Sequence, residues 1–395
     1  MKLNRILTVA LLATALISSA LPAQEIYRPV SVTFIYPLST NGFSSGQVAS
    51  NFSFNILGGY IGSVKGFELG GIFNIEKNHV AGLQVGGVAN IVGENVAALQ
   101  FGGVANVAGK NCVGLQIGGV GNFVGKNMNI GQVAGVANVA LGSIEGAQIA
   151  GVINVTGGGA TGLQLAGVMN LTVRDVLGAQ VSGTLNLSRG SCPAQIGVVN
   201  IALGQSFTQI GVVNIAGHAK GLQLGIVNIA RDHSGVPVGL ASVVKNGQFH
   251  VNFWADETAV FNTGIKFGSK TFYNVWTYGY QPFGDRSKFG IGLGGHIPSP
   301  GPLFVDIDAV YYQLDDGIWP FIQMEGYNGL TTVRFTGGLK ITPRVAITAG
   351  PTFNVWHSTE WNGEFVRYIG IPLADYDERN YTDIWLGFQV GVQIL

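Results

Sequence analysis

Side chains able to do chemistry are sparse in this chain, and most of them sit inside alternating stretches. In PLFVDIDAVYYQL, Asp306 and Asp308 fall opposite Val305, Ile307 and Ala309, and LTTVRFTGGLKI carries the lone Arg334. Two carboxylates and a guanidinium on one inner sheet face or lumen would pair as interior charges. That is a structural use, with a binding or pore role as the other. The six histidines, 79, 218, 233, 250, 296 and 357, lack zinc-type spacing, so neither a metal nor a cofactor is expected. GIGLGG, Gly290 to Gly295, sits in a strand pattern with no helix after it, which removes the phosphate-binding use of such glycines. NLT at Asn170 and NLS at Asn186 match a glycosylation acceptor but fall inside strand patterns. No catalytic residue stands out.

The more abundant polar signal is amide. Gln recurs at 84, 100, 116, 132, 148, 164 and 180, always sixteen apart, with Glu68 one step earlier, then at 195, 209 and 223. Asn keeps pace at 74, 90, 106, 122, 138, 154, 170 and 186, then at 200, 214 and 228, and a degenerate copy runs from Val236 to Val244. Each copy reads apolar-Gln-apolar, small residues, then apolar-apolar-Asn-apolar. After the first copy, charges such as Glu94, Lys110, Lys126, Arg174 and Asp175 fall between copies, which marks strands joined by turns.

Such an interval suits one strand of a transmembrane barrel or one coil of a β-solenoid with two short strands and a glycine corner. Parity favours the solenoid. Gln84 and Asn90 are six apart, but Gln195 and Asn200 are five apart. A continuous strand would throw the later Asn to the opposite face, whereas a corner at the glycines absorbs the lost residue. No Trp or Tyr lies between Ile61 and Gln248, and a membrane barrel normally carries aromatic girdles. One large antiparallel barrel throughout is the alternative, with a bulge at the glycines. In the solenoid reading the amides hydrogen-bond up and down the stack as ladders. Gln84, Gln100, Gln116, Gln132, Gln148, Gln164 and Gln180 form one, and Asn90, Asn106, Asn122, Asn138, Asn154, Asn170 and Asn186 the other. Leu, Val and Ile are expected to fill the narrow interior. Cys112 and Cys192 lie eighty residues apart, several layers in such a stack, so both thiols are expected free and buried.

Residues 1–23, with Lys2 and Arg5 before an apolar stretch and small residues at Ala20 and Ala23, read as a signal peptide. Residues 24–66 read as N-terminal strands or a cap, 67–245 as the repeat and 246–395 as a C-terminal antiparallel β-domain. All six Trp lie beyond residue 248, where about eight alternating strands end in DIWLGFQVGVQIL. Short connections such as GSK, PSPG and TPR alternate with long ones around Asp315 to Asn328 and His357 to Thr382. This is the pattern of an eight-stranded outer-membrane-type barrel, with a capping sheet as the other reading. The fold expected is therefore all-β: a solenoid of about eleven or twelve coils, then an antiparallel meander. Twenty-one basic side chains balance twenty-one acidic ones, so nothing suggests a nucleic-acid partner.

The repeat and its flanks resemble the surface repeat-containing protein family of Leptospira-type spirochaetes and Bacteroidetes. FELGGIFNI, the serial GLQIGGVGN copies, the tighter AQIGVVNIA copies, and VPVGLASVVKNG leading into KTFYNVWTYGY carry the likeness, which covers most of the chain after the leader. The resemblance implies surface or outer-membrane placement and no enzymatic activity, and it carries no functional residue across. Together these readings point to a non-enzymatic, exported outer-membrane or cell-surface protein of a Gram-negative bacterium, structural or adhesive, with an unidentified surface or host ligand. A barrel channel or transporter is the alternative. An exported glycan-acting hydrolase comes third, since the repeat tracks hold no acidic pair at carboxylate distance.

Overall fold

The computed structural model describes residues 25–317, 327–359, 370–376 and 381–395. The signal-peptide segment lies outside them, as do parts of both long C-terminal connections. The chain forms two compact units, dividing after Ser206.

The first unit is a stack of parallel coils. In a typical coil, strand Cys112–Gly118 turns through Gly119 and Val120 into strand Gly121–Val124. Each strand pairs in parallel with its counterparts one copy before and one copy on, so Gln116 meets Gln100 and Gln132, and Asn122 meets Asn106 and Asn138. Like residues sixteen apart in adjacent parallel strands are one turn of a β-solenoid apart, which excludes a single antiparallel barrel. Where the copies shorten, Val181 pairs with Ile196 and Leu185 with Val199, so one residue has gone from the Gly corner while Asn186 still meets Asn200. The corner is tight because coils stack closely there. A Cβ on Gly119 would lie 2.1 Å from the carbonyl oxygen of Gly103.

One expectation is corrected. Leu, Val and Ile do not dominate the coil interior. The Gln and Asn tracks lie inside, joined by Val96, Cys112, Met128 and Ile144 at the start of the Gln strand and by Ala108, Val124 and Ala140 at the end of the Asn strand. The flanking residues face out, with Leu99 46% and Val120 48% exposed. Side chains alternate across a strand, so an inward Gln forces both neighbours outward. Cys112 and Cys192 are buried and unpaired, as expected, and burial pushes both thiols up to about 12.

The N-terminal strands cap the first coil instead of joining the C-terminal sheet. Val30–Ile35 pairs in parallel with Val48–Ile61, which pairs in parallel with Ser63–Gly70 and Phe73–Glu76.

The second unit begins with coils of the same kind. Val213–Leu224 pairs with Val227–His233, Asn214 against Asn228, and the degenerate copy supplies Val236–Val238 and Ala241–Val244. A closed eight-stranded antiparallel barrel follows: Gln248–Asp256, Phe261–Gly268, Phe272–Gln281, Arg286–Pro298, Leu303–Asp316, Asn328–Thr342, Val345–Ser358 and Tyr381–Ile394. Val251 opposite Ile394 closes the ring, and the short strand Ile371–Tyr376 adds to the edge of the last strand. Trp276 donates its indole N–H to the Leu240 carbonyl at 2.9 Å, and Asn274 donates to that of Gly239, joining barrel to last coil.

Stability in such a stack is a near sum of coil and interface terms. Deleting one copy, Leu115 to Ile130, is expected to leave a folded protein shortened by about 4.8 Å. Loss of cooperative unfolding in calorimetry, with two-copy deletions tolerated, would contradict this.

Candidate functional site: amide ladders and a charged barrel interior

The sequence-predicted amides meet as two ladders. In the Gln track each Nε2 donates to the preceding Gln Oε1: Gln100 to Gln84 at 2.6 Å, Gln116 to Gln100 at 2.8 Å, Gln132 to Gln116 and Gln148 to Gln132 at 2.9 Å. Gln164 and Gln180 continue it at 2.8 and 2.9 Å. In the Asn track the donors point the other way: Asn90 to Asn106 at 2.8 Å, Asn106 to Asn122 and Asn122 to Asn138 at 2.9 Å, Asn138 to Asn154 at 3.0 Å, then Asn154 to Asn170 and Asn170 to Asn186. The two rows of amide dipoles therefore oppose each other.

Physical causes set both polarities. Each Asn also donates to a Gln-strand carbonyl of the next coil, as Asn138 does to Ile149 at 2.8 Å. A carbonyl only accepts, so the Asn nitrogen must face it. For Gln the polarity begins at Glu68 and Glu76, both buried, to which Gln84 donates. Desolvation first, and then the charge and hydrogen bond of Glu68, hold the Glu76 carboxyl well above the usual carboxylate range. At the other end Gln223 donates to Gln209 at 2.7 Å, but the next coil offers Pro237, and Gln223 Oε1 has no partner among the described residues. Asn170 and Asn186, the glycosylation-type asparagines, are wholly buried in their ladder.

A third row, unrecognised in the sequence reading, closes the second corner. Asn95 Oδ1 accepts from the backbone N–H of Asn111 at 3.2 Å, Asn111 from that of Asn127 at 3.3 Å, and Asn127 from that of Ser143 at 2.9 Å. Its signal was present as Asn at sixteen-residue spacing after Glu94, Lys110 and Lys126, hidden because those charges marked the segment as turn.

Asp306, Asp308 and Arg334 come together inside the barrel, each no more than 3% exposed. Arg334 Nη2 is 2.8 Å from Asp308 Oδ2, and Lys266 Nζ reaches Asp306 at 2.8 Å and Asp308 at 3.3 Å. His296 Nδ1 lies 2.7 Å from Asp306, and Tyr273 donates to Asp308. A second cluster joins Lys288 to Asp256 at 2.9 Å. Glu257 accepts from Thr352 at 2.9 Å and Trp385 at 3.2 Å. Lys266, Lys288 and Glu257 were missed. For Lys266 the signal was a single charge between Ile265 and Phe267. GIGLGG supplies lumen space: a Cβ on Gly290 would strike the Tyr312 ring at 2.6 Å, and one on Gly294 the Tyr273 ring and Asp308. Asn252, Trp254, Lys266, Asp308, Arg334 and Gln389 border a cavity of about 20 Å³. Among the described residues no three His, Cys, Asp or Glu side chains converge as a metal site.

No protein-family model, curated protein or solved structure matches this chain.

Two outcomes are expected. Asn138→Leu should destabilise by about 1–3 kcal/mol, because polar partners stay buried without their bonds. Asn228→Leu should cost less, since Asn228 ends its ladder on Ser242 Oγ at 3.4 Å; equal, negligible losses in denaturant melts would contradict the ladder. A carboxyl whose folded pKa is raised contributes stability that is complete below the ordinary value of about 4.3 and lost as pH rises through the folded value. Wild type should therefore lose stability with rising pH above that point relative to Glu76→Gln, and parallel pH–stability curves would contradict the buried pair.

Proposed function

We propose that the chain is a non-enzymatic outer-membrane protein whose C-terminal barrel sits in the bilayer and whose repeat coils serve a structural or adhesive role at the cell surface. One observation carries this reading: the barrel turns an apolar band outward while charged and amide side chains are buried inside, next to an interior apolar cluster that includes Val310, Leu314 and Leu330. Asp306 and Asp308 are buried while their strand neighbours Val305 and Ile307 are 43% and 38% exposed. On the last strand Gln389 and Gln393 point inward while Phe388, Val390 and Val392 point outward. A barrel in water has the reverse arrangement, whereas an outward apolar band suits hydrocarbon. Closure removes the unpaired edges that lipid cannot satisfy. The apparent leader and the likeness to spirochaete and Bacteroidetes surface repeats support export to that membrane.

The lumen speaks against a channel. Arg334, Lys266, Asp306, Asp308, Tyr273 and Tyr312 are all buried inside it, and the cavity beside Lys266, Asp308 and Arg334 holds only about 20 Å³. An adhesive or structural role asks nothing of the lumen beyond holding the barrel together.

The expressed protein should remain in the outer-membrane fraction after carbonate washing, and the purified chain should give no unitary conductance steps in planar bilayers. Release by carbonate would overturn the membrane reading. Regular conductance steps would favour a channel.

A further inference from the structure

The outside of the coils is mostly apolar on three of its four sides; the exposed Glu145 and Thr161 lie at the start of the Gln strand, next to the second corner. The Gln strand turns out pairs such as Leu99 with Phe101, and Leu163 with Leu165. The Gly corner turns out one valine per coil, with Val104 42%, Val120 48% and Val136 43% exposed. The Asn strand turns out Val107, Phe123 and their equivalents. From Leu83 to Leu187 no residue flanking a ladder Gln or Asn carries a side-chain donor or acceptor. The fourth side, the second corner, differs: Lys126, Arg174, Asp175 and Arg189 are exposed there.

Water is a poor solvent for so large an apolar surface. Its backbone makes no further demand, because the strand N–H and C=O groups pair with the coils on either side. A folded protein would have to wrap three successive sides of a convex stack, while fluid hydrocarbon conforms to any such surface. In the second unit this apolar exterior runs into the barrel wall: Ile210, Val212, Leu224, Ile226 and Leu240 of the coils line one cleft of about 410 Å³ with Leu293 of the barrel.

We propose that the coils lie within the bilayer interface, with phospholipid acyl chains against the Gln strand, the Gly corner and the Asn strand, and with the charged corner at the headgroups. This rests on the membrane placement of the barrel proposed above. The coil stack would then be a β-structured counterpart of an interfacial amphipathic helix, with an apolar face sunk to the acyl boundary and a charged face left in water. The opposed ladders suit that setting, since the amides are satisfied internally and present nothing polar to lipid.

The test uses the full chain reconstituted in phosphatidylethanolamine–phosphatidylglycerol vesicles. A polarity-sensitive fluorophore is attached at Val120→Cys, Leu163→Cys, Val155→Cys or Lys126→Cys, with Phe388→Cys on the barrel wall as reference. Cys112 and Cys192 are wholly buried and do not compete for label. Labels at 120, 163 and 155 should lose fluorescence to brominated acyl chains and resist aqueous iodide, and the label at 126 should do the reverse. Iodide quenching at all four positions would overturn the inference, as would shielding of 120, 163 and 155 from both quenchers, which would mean a protein cover. Bromine quenching at 388 without quenching in the coils would sink this inference and leave the membrane barrel standing. Its absence at 388 would sink the barrel reading itself.

Discussion

A buried side-chain amide must find its hydrogen-bond partner, and inside a coil the nearest one is the same amide in the coil above or below. Stacked parallel strands place that partner about 4.8 Å away, within reach of a Gln or an Asn. An unpartnered amide there would cost about 1–3 kcal/mol. This requirement selects like against like at every step, so Gln100 must pair with Gln116 and Asn106 with Asn122. Register, coil length and the inward direction of alternate side chains follow from it. So do the glycines at the corner, where the carbonyl of Gly103 would lie 2.1 Å from any Cβ on Gly119.

The same logic governs the barrel. There the closed interior holds Arg334 and Lys266 against Asp306 and Asp308 with Tyr273 as a further donor, beside an apolar cluster that includes Val310, Leu314 and Leu330. Breaking such a buried set by removing one member leaves an uncompensated charge, which is why its members come as a group. In both parts buried amides or charges pair with one another inside, and aliphatic side chains predominate on the outward faces. Among the described residues no helix is long and apolar enough to cross a membrane.

Much of this was legible in the sequence because a ladder writes itself as a period. The sixteen-residue steps of Gln and Asn, and the parity change between Gln84–Asn90 and Gln195–Asn200, favoured a solenoid and left a single barrel as the alternative that the parallel pairing then excluded. The alternation around Asp306 and Asp308 placed both inside before Lys266 and Tyr273 were known to join them. The facing of Leu, Val and Ile was misread, because hydrophobic residues were assumed to face inward while the inward Gln at position 84 already required Leu83 and Val85 to point out. The Asn95–Asn111–Asn127 row was lost among charges. Glu257 gave no local signal, since Thr352 and Trp385 come to it from strands almost a hundred residues or more away.

The most direct test of the account is hydrogen exchange at the side-chain amides themselves, followed by NMR of protein labelled with ¹⁵N in Gln and Asn. If the ladders hold the stack together, the NH₂ groups of Gln116 and Asn122 will exchange as slowly as the backbone amides of the same strands. If those side chains exchange at the rate of free glutamine and asparagine while the backbone stays protected, the amides do not face inward and the account is wrong.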